Sequence, residues 1–183
     1  MIEGKNVILR LFSKEDVDEY VKLENDYAEL GEFLDPIFHS QMARRKEFEE
    51  SKGWWDEDKG CMVIADKQGR MIGAIAFFRR SPLFAGYEVG YLILRREDRG
   101  HGYGTEALRI FSAYLFDLKP IPRLELLTVD RNVPARRIAE KCGYKHEGTY
   151  RDYWFVRGHY VTGVQYALFR EDCPSLDEVL GTR

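Results

Sequence analysis

A chain of 183 residues, 44% apolar and 32% charged, is long enough for one ordinary domain with its own core. A net charge of −3 leaves no basic surplus to neutralise phosphates, which argues against a nucleic-acid partner, and no apolar run approaches the roughly 20 residues of a membrane span. Cys61, Cys142 and Cys173 show no pairing pattern and the four histidines form no ligand spacing with them, so the expectation is a reducing, cytoplasmic setting with no metal centre.

Val7 to Leu11 suits a first strand. Ser13 followed by Asp16 reads as a helix N-cap with an acidic first turn, and predicts a helix over 14–26 with Val17, Tyr20 and Val21 on its buried side. A less regular helical region follows over 27–52. Residues 61–65 and 71–78 are apolar runs across Lys67-Gln68-Gly69, a hairpin, and 87–94 continue the sheet. From Ala107, Leu108, Phe111, Tyr114, Leu115 and Leu118 recur at three and four, an amphipathic helix stopped before Pro120. Residues 124–129 form a strand, and Pro134 and Gly143 bracket a short helix. Residues 144–156 and 159–169 close the chain as a long hairpin turning at Arg157-Gly158. This order predicts one α+β domain with a largely antiparallel sheet.

The stretch YEVGYLILRREDRGHGYGTEALR, residues 87–109, carries the most chemical information. A strand, a charged connector, three alternating glycines and a helix start follow one another. Gly100, Gly102 and Gly104 let backbone N–H groups crowd around a ligand, and the helix that begins near Thr105 adds its own unpaired N–H groups and positive dipole end. The combination reads as a pyrophosphate cradle with Arg95, Arg96 and Arg99 beside it. It lacks the lysine of a P-loop. Gly102 to Ala107 also satisfies GxGxxG/A, with Glu125 or Asp130 as a ribose acid, but too few βα units follow for a dinucleotide fold.

RGHGYG, residues 99–104, fills [QR]xxGx[GA], the motif A signature of the GNAT superfamily of acyl-CoA-dependent N-acyltransferases, which the stretch resembles. GYLILRREDRGHGYGTEAL is similar to the corresponding run of the RimJ/RimL-type subgroup. LELLTVDRNVPARRIAEKCGYKHEG, with Asn132, Arg136, Arg137, Lys141, Gly143, Tyr144, Glu147 and Gly148, resembles that subgroup's second block, and the opening 4–23 resembles its first strand and helix. The resemblance spans roughly residues 4–172 of one domain. It implies a GNAT fold, a mixed but mostly antiparallel sheet of six to seven strands flanked by about four helices. It also implies acetyl-CoA as cosubstrate, an amine acceptor, and a monomer or homodimer. The backbone of Leu92, Ile93 and Leu94 would hold the pantetheine arm as an added strand, the loop Arg99, Gly100, His101, Gly102, Tyr103, Gly104 and Thr105 the pyrophosphate, and Asn132 the thiol end or pantetheine. The bland role of Asn132 is a helix N-cap, and that of Arg136 and Arg137 a solvated surface.

Acetyl transfer from a thioester to an amine needs a neutral amine, a polarised carbonyl and a stabilised thiolate. At pH 7 deprotonation costs an α-amino group about 1.4 kcal/mol and a lysine about 4.6 kcal/mol, so the α-amino acceptor needs less help. By resemblance Glu88 is the catalytic base, on the strand before motif A; its other reading is a sheet-face carboxylate paired with Arg79 or Arg80. The positions where the family carries a tyrosine acid and the subgroup a serine are Ala139 and Ala135, and Thr162 stands where the subgroup often has aspartate. Tyr144 and Cys142 read as core. Trp54-Trp55-Asp56-Glu57-Asp58 and residues 29–35 supply aromatics and carboxylates to an acceptor groove or to an ordinary acidic surface. The resulting expectation is acetyl transfer to a protein or peptide N-terminus, with two alternatives: a small amine (polyamine, amino acid or aminosugar), or a non-catalytic acyl-CoA-binding domain.

Overall fold

The computed structural model describes residues 1–34 and 37–182. A two-residue strand β1 (Ile2–Glu3) pairs with β2 (Val7–Leu11), and the chain then enters α1 (Lys14–Glu24). Ser13 caps that helix: its hydroxyl accepts from Asp16 N while the Asp16 carboxylate accepts from Ser13 N, a reciprocal capping box. The region expected to be loosely helical resolves into turns followed by α2 (Gln41–Glu50), capped by Ser40. The hairpin β3 (Lys59–Asp66) and β4 (Met71–Phe78) leads to β5 (Tyr87–Ile93). Then come α3 (Tyr103–Leu118), β6 (Arg123–Val129), α4 (Val133–Lys141), the hairpin β7 (Lys145–Val156) and β8 (His159–Phe169), and a short α5 (Leu176–Leu180).

The strands form one sheet in the order β1-β2-β3-β4-β5-β6-β8-β7, antiparallel throughout except for β5 and β6. The described residues thus hold eight strands and five α-helices, against the expected six to seven and about four. The additions are β1, too short to show a period-two pattern, and α5, whose Ser175-x-x-Glu178 capping box and core-facing Leu176, Val179 and Leu180 span little more than one turn.

Side chains alternate across the sheet. Tyr87 and Val89 of β5, Leu124 and Leu126 of β6, and Val164, Tyr166 and Leu168 of β8 join Leu108, Phe111 and Leu115 of α3 in one core. On the other face, Val63, Ala65, Ala74 and Leu94 pack against Val17 and Val21 of α1 and against Phe12 and Trp54. Two apolar layers therefore sandwich the first part of the sheet. The second face of β5, β6 and β8 carries Glu88, Gly90, Glu125 and Gln165 instead of an apolar cover.

Candidate active site

β5 and β6 lie side by side only at Tyr87↔Leu124 and Glu88↔Glu125, after which no ladder joins them. Gly86 pins the closed end, where an added Cβ would stand 2.3 Å from the Arg123 carbonyl oxygen. Beyond Glu88 the two strands open into a V, with β5 still paired to β4 on its far side and β6 to β8. One edge of β5 is left without a strand partner from Val89 to Ile93, which is a place for an extended ligand.

The cradle stands at the open end of the V. Gly100 and Gly102 have φ of +82° and +85°, and nothing lies within 4 Å of where a Cβ would stand on either. Only glycine takes that conformation readily, and it leaves room for a ligand to approach the backbone. α3 begins at Tyr103, two residues before the Thr105 start read from the sequence, with Gly102 at its N-cap and no side-chain cap. Ser13, Ser40, Asn132 and Ser175 cap the other four helices of the described residues. The first-turn N–H groups of α3 are thus the ones without a side-chain acceptor, a fit for a pyrophosphate. His101 packs on the Tyr103 ring and contacts the Glu97 carbonyl oxygen at 3.0 Å through Nε2.

Arg99 braces the cradle with its side chain. It donates to the carbonyl oxygens of Ile93 (3.2 Å), Leu94 (3.2 Å) and Glu29 (2.5 Å), and burial draws its guanidinium below the ordinary arginine range. Leu94 also gives its N–H to the Ile72 carbonyl at 3.0 Å. Alternate residues of a strand turn their backbone to the same neighbour, and the Leu92 carbonyl oxygen likewise lies against Gly73 of β4, so of the three residues expected to hold the pantetheine arm Ile93 is the one whose backbone faces the V.

Glu88 sits at the foot of the V. Arg80 meets its Oε2 at 3.1 Å through Nε and 2.5 Å through Nη2, and stands 3.6 Å from Glu125. Glu125, nearly buried, takes Arg123 at 2.7 Å, and Arg123 continues to Glu147. Partial burial opposes the charge on Arg80, but Glu88 and Glu125 outweigh it and hold the guanidinium above its usual range. The pairing of Glu88 with Arg80 is thus realised. Beside it, nothing lies within 4 Å of where a Cβ on Gly90 would stand, so the second face of the sheet is open next to the carboxylate. The network uses Glu125, which the sequence suggests only as a ribose acid; its charge on an apolar strand was the available signal.

The remaining candidates separate by position. Ala139 is fully buried on α4, and Ala135 offers no polar side-chain atom. Tyr144 is buried with its hydroxyl 2.8 Å from Ser112 Oγ, and burial pushes its phenol far up. Cys142 donates to the Thr105 carbonyl at 3.4 Å and burial lifts its thiol to about 12. Both are core, as their sequence context suggests. Asn132 does cap α4: Oδ1 accepts from Ala135 N at 3.2 Å while Nδ2 donates to Thr128 Oγ1 at 3.2 Å. Arg136 donates to Tyr166 Oη and the Asp130 carbonyl, and Arg137 is exposed. Glu106 holds the β1–β2 turn, accepting from Asn6 N and Asn6 Nδ2 at 2.8 Å each.

On the acceptor side Trp54 is buried among Phe12, Tyr20 and Phe48, and Trp55 packs on Phe77. Asp56 folds a turn by accepting from Asp58 N and Lys59 N, and Asp58 pairs with Arg79 at 2.6 Å; the hollow of about 420 Å³ they line sets the carboxylates of Asp56, Glu57 and Asp58 beside Lys59 and Arg79. Of residues 29–35, Asp35 lies outside the described residues. Glu29 reaches the cradle, its carboxylate accepting from Arg96 N at 2.5 Å. From the opposite direction Arg157, at the β7–β8 turn, donates to the carbonyls of Gly31 and Leu34 and to Tyr27 Oη, and lies over the Tyr27 ring. The loop after α1 thereby bridges the cradle and the hairpin tip. Sequence patterning gives no sign of these long-range contacts.

Comparison with known proteins places this geometry. The chain is 27% identical over 161 residues to the probable N-acetyltransferase YjcK of Bacillus subtilis, covering 82% of this chain and 87% of that one. It is 28% identical over 104 residues to the "putative ribosomal N-acetyltransferase YdaF" of the same organism, covering 57% and 56%. Its fold superposes with a TM-score of 0.80 on a spermidine N-acetyltransferase from Vibrio cholerae bound to CoA and spermine, at 18% identity over 91% of this chain and 96% of that one. Residues 6–145 match the acetyltransferase (GNAT) domain, and the chain belongs to that family of acetyl-CoA-dependent N-acetyltransferases.

Proposed function

We propose that the acceptor is the α-amino group of a protein or peptide N-terminus, that the enzyme is of the RimJ/RimL-like type, and that Glu88 receives the amine proton directly or through water. The observation that carries this reading is the pairing of Glu88 with Arg80. Arg80 holds Oε2 and leaves Oε1 as the oxygen open to the amine proton, so the acceptor best served is one that loses its proton at small cost. That cost is about 1.4 kcal/mol for an α-amino group against about 4.6 kcal/mol for a lysine-like amine. The partial likeness to YdaF and the subgroup motifs around Gly102 and Asn132 support the same acceptor.

In this reading acetyl-CoA lies along the open edge of β5. Its pyrophosphate takes the N–H groups of Gly100 to Thr105, including those of Tyr103 and Gly104, and its pantetheine arm takes the backbone of Ile93, with Asn132 across the V. The amine enters from the second face past Gly90, beside Glu88. A small cationic amine is the runner-up: the fold likeness to a spermidine acetyltransferase supports it only at the level of architecture.

The test is a screen of N-terminal peptides against spermidine, amino acids and aminoglycosides, with released thiol as the signal. Peptide acetylation at least tenfold more efficient in kcat/KM than any polyamine is expected. Turnover of spermidine without turnover of peptides would reverse the assignment.

A further inference from the structure

With Trp54 packed on Phe12 and Trp55 on Phe77, the aromatic surface beside Glu88 comes from other elements. Phe78 is the direct cross-strand neighbour of Glu88 on β4 and so shares its face of the sheet. On the far side of the V, Tyr150 and Tyr153 of β7 lie over that same face. The three are 41%, 39% and 45% exposed, which leaves ring surface on each for a ligand to cover. The Tyr150 hydroxyl donates to Gln165 Oε1 at 2.5 Å, and its ring centre stands 5.2 Å from that of Tyr153. An irregularity in the ladder aims Tyr153. Tyr150 pairs with Gly163 and Trp154 with Val161, so three residues of β7 stand against Thr162, with Asp152 at φ +52°. Bulges re-aim side chains in this way beside active sites. Here the Tyr153 ring is laid across Gly163 of β8, where a Cβ would stand 3.1 Å from its Cδ1. From there its phenol is within electrostatic reach of Arg80, the partner of Glu88.

The charges next to this wall are already matched. Arg80 meets Glu88 and Glu125, and Arg123 meets Glu125 and Glu147. A second cation carried by the acceptor would find a guanidinium beside Tyr153 and three carboxylates that each have an arginine partner. An anion would find the carboxylates themselves. An apolar side chain finds rings to cover.

We propose that Tyr153 is a specificity-determining residue that selects an acceptor whose first side chain is apolar, an assignment that rests on the acceptor being a peptide N-terminus. The α-amino group and the first side chain leave the same carbon, so an amine held beside Glu88 brings that side chain to the rings around it. Tyr153 forms the wall across the V and Phe78 the wall on the near side.

The test uses peptides that differ only in a first residue of glycine, leucine, arginine or aspartate, at saturating acetyl-CoA. The wild type should favour leucine over arginine and aspartate by about tenfold or more in kcat/KM. Tyr153→Ala should remove most of that advantage through KM and change the glycine peptide little, whereas Tyr153→Phe, which keeps the ring, should retain it. Gly163→Ala crowds the ring from beneath without altering β7, and it too should reduce the advantage, which keeps the test open if Tyr153→Ala folds poorly. No preference for leucine in the wild type would overturn the assignment, as would an equal loss for all four peptides in Tyr153→Ala. Turnover of spermidine with no peptide turned over would instead remove the N-terminal acceptor on which the assignment stands.

Discussion

Gly102 and Gly69 share a backbone angle, φ +85° and +86°, and both have open space where a Cβ would stand, yet one lies in the cradle and the other in the β3–β4 turn. Alanine at either position meets the same left-handed penalty of about 1–2 kcal/mol. The pair therefore separates strain from obstruction. Gly102→Ala is expected to weaken acetyl-CoA binding at least tenfold by calorimetry, about 1.4 kcal/mol, whereas Gly69→Ala should lose similar stability and bind normally. Equal binding by both variants would move the pyrophosphate off this loop. At Glu88 the expected effect is on rate: Glu88→Gln should lower kcat by roughly 10²- to 10⁴-fold with acetyl-CoA affinity nearly unchanged. It would also leave Arg80 with Glu125 alone, so a thermal melt belongs beside the kinetics. A normal kcat, with chemistry rate-limiting, would leave positioning to carry the reaction.

At the start of α1 one carboxylate serves two purposes. Asp16 completes the capping box with Ser13 and takes Arg10 at 2.6 and 2.8 Å, and although burial works to raise it, these partners hold it below the usual carboxylate range. Because its folded value is depressed, the stability it contributes is complete above the unfolded aspartate value of about 3.9 and is lost as pH falls through the folded value. Asp16→Ala should cost about 2 kcal/mol in urea unfolding at pH 7, and that difference should shrink in acid below about pH 4. A difference independent of pH would mean that packing, not charge, holds this end of the helix. Elements of this kind were legible: Ser13 with Asp16, the three-four spacing from Ala107 and the Pro134–Gly143 bracket are local patterns with local causes. The glycine run of the cradle was legible for the same reason. The pairing of Glu88 with Arg80 was foreseen only as one option of several. Glu125 with Arg80, and Glu29 with the cradle, depend on how the chain is folded together, and no periodicity encodes such meetings.

The molecule as a whole is a sheet pulled apart at one point, with α3 and α4 on one face and α1 and α2 on the other. If acetyl-CoA fills the gap as an added strand, the amides of Val89 to Ile93 that face β6 should exchange more slowly with solvent when it is present, while β3 amides, already paired on both sides, change little. Unchanged exchange on β5 at saturating cosubstrate would place the arm elsewhere. The loop after α1, tied to Arg96 and Arg99 on one side and to Arg157 on the other, adds a further consequence. Two ligands that bias the same segment are thermodynamically linked, and linkage is symmetric: the factor by which cosubstrate alters acceptor affinity equals the factor by which acceptor alters cosubstrate affinity. Glu29→Ala should bring that factor toward unity from whichever ligand it is measured, so one loop makes the two halves of the reaction legible in each other's binding curves.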